Sequence, residues 1–185
     1  MEVEVSAEAK DKRLNRMVAV TVVMLSVFTG LCNIKDGNLV QAMQQAQSNS
    51  VDAWNEYQAV KVKLHVAEGT RTQIATLAPS SPAALAQVAR MDADIVRYRA
   101  EVPALQAKAK AFSAQYDALN IHDDQFDASE ALISTAISLA AVSALCEAFW
   151  LLAAGWGFGA FGMFLGICGF ARWAFHPDVL SNFLG

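Results

Sequence analysis

Charge is almost absent from the stretch Ala131 to Ala171, whose 41 residues carry one charged side chain, Glu147. So long an uncharged run excludes a surface helix and is too long for a single core helix. Cysteine is sparse too. Cys32, Cys146 and Cys168 all lie in apolar segments, spaced for neither a disulfide framework nor a zinc site, and read as small packing residues. Basic residues form no stripe. Positions 36–128 hold eight Lys/Arg against eleven Asp/Glu, which argues against a nucleic-acid partner. No Gly-rich phosphate loop, H-E-x-x-H, C-x-x-C or G-x-S-x-G occurs. No Ser/His/Asp or Cys/His set can be assembled without placing a member in an apolar segment. The sequence therefore reads as non-enzymatic, with no cofactor and no metal.

What is present reads as membrane helix. About 20 helical residues cross a bilayer core, so the run 131–171 suffices for two spans. A third apolar stretch covers Met17 to Ile34. Lys10, Lys12, Arg13 and Arg16 precede it, as in a secretory signal. No A-x-A site follows, and Leu31 before Cys32 is too bulky for lipoprotein processing, so the stretch reads as an uncleaved anchor. The expected order is a charged tail 1–16, a first span 17–34, an extramembrane region 35–130, a second span 131–154, a turn at 155–157, a third span 158–175 and a tail 176–185. Gly155 and Gly157 suggest the turn, and Pro177 the end of the last helix. Trp150, Trp156 and Trp173 suit span ends. Four basic residues before the first span place the N-terminus in the cytoplasm and the middle region outside it, although Arg172 at the outer end runs against this.

The middle region carries two apolar stripes in alternating steps of four and three. The first holds Leu39, Met43, Ala46, Ser50, Ala53, Tyr57, Val60, Leu64 and Ala67. The second holds Ala84, Val88, Met91, Ile95, Tyr98, Val102, Leu105, Ala109, Phe112, Tyr116 and Leu119. Such spacing keeps a narrow seam on one helix face, as in a left-handed coiled coil. Gly69 and the Ala78-Pro79-Ser80-Ser81-Pro82 stretch separate the seams. The reading is an antiparallel coiled-coil hairpin with arms at about 38–68 and 83–120, each roughly 45–55 Å long at 1.5 Å per residue. A large seam residue contributes about 1.5–3 kcal/mol when buried. Pro103 falls inside the second arm with the seam in phase on both sides, which predicts a kink rather than a stop. Asp127 and Glu130 have the spacing of a helix cap opening the second span.

Two features are candidate functional elements. Glu147, in a nearly chargeless run, is a functional-site candidate by default. It shares steps of four and three with Ala136, Ala140 and Ser143. Its readings are a hydrogen bond within a bundle, an ion or proton path, or placement at the interface. Gly155, Gly159, Gly162, Gly166 and Gly169 form a small-residue face of the kind that lets helix backbones approach closely in lipid. The partner helix is either the second span or another copy. His122, Asp123, Asp124 and Asp127 read as a solvated acidic turn rather than a cation site.

Two stretches carry a resemblance. Lys35-Asp36-Gly37-Asn38-Leu39-Val40-Gln41-Ala42-Met43-Gln44-Gln45-Ala46-Gln47 leads into Asp52-Ala53-Trp54-Asn55-Glu56-Tyr57-Gln58-Ala59, and Phe126-Asp127-Ala128-Ser129-Glu130-Ala131-Leu132 opens the apolar hairpin. Over about residues 17–175 the chain resembles a bacterial membrane-protein family known as domain of unknown function 4337. The resemblance implies three membrane segments with a helical insert, and no activity, cofactor or site residue. The expectation is thus an all-α membrane protein of a bacterial inner membrane that acts by assembly, as a homo-oligomer or docked to another membrane complex. The alternatives are a small channel or proton-coupled transport subunit using Glu147, or an accessory subunit.

Overall fold

Three helices make up the computed structural model, which describes residues 2–173 and 175, with side chains from position 12 onward. α1 spans Glu2–Leu77, α2 Pro82–Cys146 and α3 Phe149–Ala171, and the described residues include no strand. Each helix contains a window long and apolar enough to cross a membrane, by length and composition.

The helices are longer and fewer than the segments expected. Residues 1–16, read as a tail, are helical from Glu2, and α1 runs without a break through 35–38, where the first arm was to begin. No proline interrupts that stretch, and one interior glycine such as Gly37 costs only about 1 kcal/mol. Likewise α2 passes through Asp127 and Glu130, so these residues cap nothing. It also continues through Pro103. The tail 176–185, with His176 and Pro177, lies outside the described residues.

Both chain reversals have local causes. α1 stops at Leu77 because Pro79 disfavours helical backbone at Ala78. Pro82 then occupies the first position of α2, where its missing N–H is no loss. Ser81 precedes it as cap: its Oγ accepts from the Ala84 N–H at 3.4 Å. The second reversal takes only Glu147 and Ala148. Glu147 adopts φ 52°, in the left-handed region. Fully buried Ser143 closes the corner, with its hydroxyl donating to Ala148 O at 3.0 Å while Ala148 N–H donates to Ser143 O at 3.2 Å.

The turn expected at 155–157 is therefore misplaced by about two helical turns. Gly155 and Gly157 lie inside α3. Glycine serves both turns and close helix contacts, and Gly155 serves the second purpose.

The chain forms two compact units, Met43–Asp117 and the remainder. The unit containing α3 packs all three helices together. One cluster joins Leu14 and Val18 of α1, Ala140 of α2 and Leu152 of α3; another joins Leu25, Ile133 and Ala136, with Phe28 and Met163 against them. In the other unit, contacts pair rising positions on α1 with falling positions on α2. Ser50 meets Ser113 at 2.9 Å, Glu56 meets Lys108 at 3.1 Å, Glu68 meets Arg99 at 2.6 Å and Arg71 meets Asp92. These exposed ion pairs fix register more than they add stability.

Candidate functional site

The glycine face of α3 is filled by the chain's own helices. All five glycines are buried. A Cβ added at Gly155 would lie 3.1 Å from Ala136 O, and one at Gly159 would lie 3.2 Å from the Leu25 methyls. At Gly162 it would meet Ile133 Cγ1 at 2.8 Å and Ser129 O at 3.0 Å. At Gly166 it would meet the Phe28 ring at 2.7 Å, and at Gly169 the Phe126 ring at 2.8 Å. As the position on α3 rises, its partner on α2 falls from Ala136 to Phe126. The side chains of α1 enter the same face, and Phe126 and Phe170 meet edge-on at 5.3 Å. Of the two partners open from sequence, the structure thus supplies one within the chain.

Glu147 stands where only the interface reading places it. It is an exposed residue at the α2–α3 corner, past the end of the face formed by Ala136, Ala140 and Ser143. Among the described residues no hydrogen bond or ion pair to its side chain is found. A non-glycine residue in left-handed backbone carries a cost of roughly 1–2 kcal/mol. Glu147→Gly should therefore raise the thermal midpoint by a few degrees, whereas Glu147→Gln should leave it unchanged; circular dichroism melts in detergent decide both.

The seam positions divide by burial. Leu39, Met43, Ala46, Ala53, Val60 and Ala67 are buried on α1, and Ile95 and Ala109 on α2. Tyr57, Leu64, Val88, Met91, Tyr98, Val102, Leu105, Phe112, Tyr116 and Leu119 are half-buried.

Beyond the apolar layer of the three-helix unit lies an acidic contact that no single stretch of sequence announces. Asp36 of α1 and Asp123 of α2 bring their carboxyl groups into hydrogen-bonding contact. Oδ1 of each is buried and meets no N–H or O–H donor among the described residues. Burial is the main reason Asp123 is pushed up to about 6, with the neighbouring charges of Asp36 and Asp127 adding to it. Burial likewise raises Asp36, helped by Asp127, while its contact with Asp123 pulls it back. Asp127 is raised by burial and by Asp124. Two carboxylates in contact cannot both stay ionised cheaply, so each favours the protonated form of the other. The four residues read as an acidic turn are helical, and among the described residues no group of His, Cys, Asp or Glu is arranged to hold a metal.

A sequence signal for this pair exists. Cys32, Asp36, Leu39 and Met43 continue the steps of four and three, as do Tyr116, Leu119, Asp123 and Phe126. Each aspartate replaces an apolar residue on a packed face. Two residues after Asp123, fully buried Gln125 donates from Nε2 to Trp173 O at 2.9 Å and to Phe175 O, satisfying carbonyls past the end of α3. His122 Nδ1 stands 3.1 Å from Gln125 Oε1.

The family model described as Domain of unknown function (DUF4337) matches residues 14–172. The chain belongs to that family. No curated protein and no solved structure matches it.

Proposed function

We propose that this DUF4337 member is a non-catalytic membrane assembly protein that joins copies of itself by docking helix against helix. Its middle region, on this reading, is an antiparallel coiled-coil hairpin outside the apolar layer, on the side opposite a cytoplasmic N-terminus. The falling and rising cross-arm contacts and the buried seam support the hairpin.

One observation carries the docking role. Along the hairpin part of α1, four exposed apolar residues point away from the seam, with Asn55 and Gln73 among them on the same side. Val51, Val62, Val66 and Leu77 are all exposed, Leu77 to 84%. At 3.6 residues per turn they fall within about 80° of arc, with Val51 about 180° from Val60 of the seam. A two-helix hairpin leaves such a stripe in water, and burying each of these side chains contributes about 1.5–3 kcal/mol. A contact between hairpins would bury them.

Gentle extraction followed by native mass measurement tests this. The expected result is a defined oligomer that the double change Val62→Lys and Val66→Lys reduces to monomer, with helix content unchanged. A strict monomer with no co-purifying chain rejects the proposal. A stoichiometric foreign chain with a single copy of this one favours docking to another membrane complex instead. A cysteine placed at Val62 and probed with an impermeant maleimide on intact cells tests the sidedness.

A further inference from the structure

Two adjoining cavities run along the α1–α3 face of the three-helix unit. The first, about 250 Å³, is lined by Met24 and Leu25 of α1 and by Gly159, Ala160 and Met163 of α3, with Thr21 and Trp156 at its edge. The second, about 300 Å³, shares Thr21 and Trp156 and continues past Val20 and Met17 to Arg16. Together they form one groove, open along its length, apolar over most of its lining and cationic at one end. From Arg16 to Leu25 it covers about 13 Å of helix rise, close to the ~15 Å hydrocarbon depth of one leaflet.

The groove is shaped by small residues. Gly159 and Ala160 remove bulk from α3 where Met24 and Leu25 pass, and Trp156 walls one side. The indole N–H of Trp156 donates to Thr21 Oγ1 at 2.9 Å, tying α3 to α1 between the apolar part and the charged end. The hydroxyl that accepts this bond keeps its own hydrogen to offer an ester carbonyl. Arg13 lies one turn before Arg16 on the same helix face, so a second cation stands beside the mouth. Both side chains are exposed.

We propose that this groove is a binding site for one anionic phospholipid, its phosphate on Arg16 and one acyl chain laid between α1 and α3. The site rests on the membrane reading of the three apolar helices and is independent of self-assembly. Cation, hydroxyl and apolar channel follow one another in the order that phosphate, ester and acyl chain follow along such a lipid.

The test uses the full chain with Trp54, Trp150 and Trp173 changed to Phe, leaving Trp156 as the single fluorophore. The protein is placed in phosphatidylcholine vesicles containing a small fraction of dibrominated phosphatidylglycerol or of dibrominated phosphatidylcholine. The expected result is preferential quenching by the glycerol lipid, with an apparent affinity about fivefold higher, the equivalent of the ~1 kcal/mol that one Lys or Arg gains near anionic lipid. Arg16→Gln removes the preference and Arg16→Lys retains it, with helix content by circular dichroism unchanged in both. Equal quenching by the two lipids in the parent protein overturns the proposal. So does a photo-crosslinker at Met24 that captures a second copy of the chain rather than lipid.

Discussion

Gly162→Val is expected to break the three-helix unit apart, with the largest loss of stability of any single change on α3. One added Cβ already meets Ile133 Cγ1 at 2.8 Å, Ser129 O at 3.0 Å and Leu132 Cβ at 3.1 Å. The Ser129 oxygen is backbone of α2, so no rotamer change relieves the contact, and the helices must separate. Overpacking of this kind costs about 1–3 kcal/mol for a methyl group, and the two further carbons of valine raise it. Separation also withdraws α3 from Leu25 and Ile133. Alanine at 162 should be milder, because it regains up to about 1 kcal/mol of helix propensity.

Gly157 is the control. It sits in the same helix with nothing within 4 Å of its added Cβ, so Gly157→Ala should stabilise slightly. Gly169→Ala should fall between, because its nearest contacts are side-chain atoms of the Phe126 ring rather than backbone. Denaturation in increasing SDS, followed by circular dichroism, ranks the series. Equal midpoints for Gly157→Ala and Gly162→Ala would show that the close approach of α2 and α3 does not exist in solution.

The second large effect is a dependence on pH that most acidic contacts lack. An aspartate in an unfolded chain gives up its proton near pH 3.9; folded Asp123 holds its proton to about 6. Between those values the folded state binds more protons than the unfolded one. Stability therefore falls as pH rises through the window from about 4 to 6, and the contribution is fully present only below it. This is opposite to an aspartate held by a cation, which loses stability on acidification. Melts at pH 5 should thus show a higher midpoint than melts at pH 7.5. Asp123→Asn keeps the shape, donates a hydrogen bond to Asp36 without titrating, and should raise the midpoint at pH 7.5 while flattening the profile. Water still reaches the half-buried pair, so the gain is about 1 kcal/mol rather than the full equivalent of the shift. A midpoint that rises with pH in this window, or an unchanged profile in Asp123→Asn, contradicts an Asp123 whose proton is held more tightly in the fold.

Legibility differed from feature to feature for physical reasons. Buried positions such as Met43, Ala46, Ala53, Val60 and Ile95 could be read because burial repeats with the helix period, a local property of the chain. The glycine face could be read for the same reason. Its meaning at Gly155 could not, because missing side-chain bulk permits both a turn and a tight contact. The same ambiguity bears on Glu147: moving the corner eight residues earlier takes it from a helix face to the exposed reversal, which leaves the interface as its reading. The cap expected at Asp127 failed because no breaker precedes it, so a strong helix simply continued.

Asp36 and Asp123 show the deeper limit. They lie 87 positions apart, and each alone is an ordinary acid near an apolar segment. What makes them a site is the loss of water and the loss of a second donor when α1 and α2 close. The amino-acid order determined the helical class, the three apolar stretches and which faces would be sticky, since these follow from spacing along one helix. Only the tertiary structure decided which face meets which, that the glycines admit helices of their own chain, and that two carboxyls meet away from water, because desolvation and charge coupling exist only between surfaces already brought together.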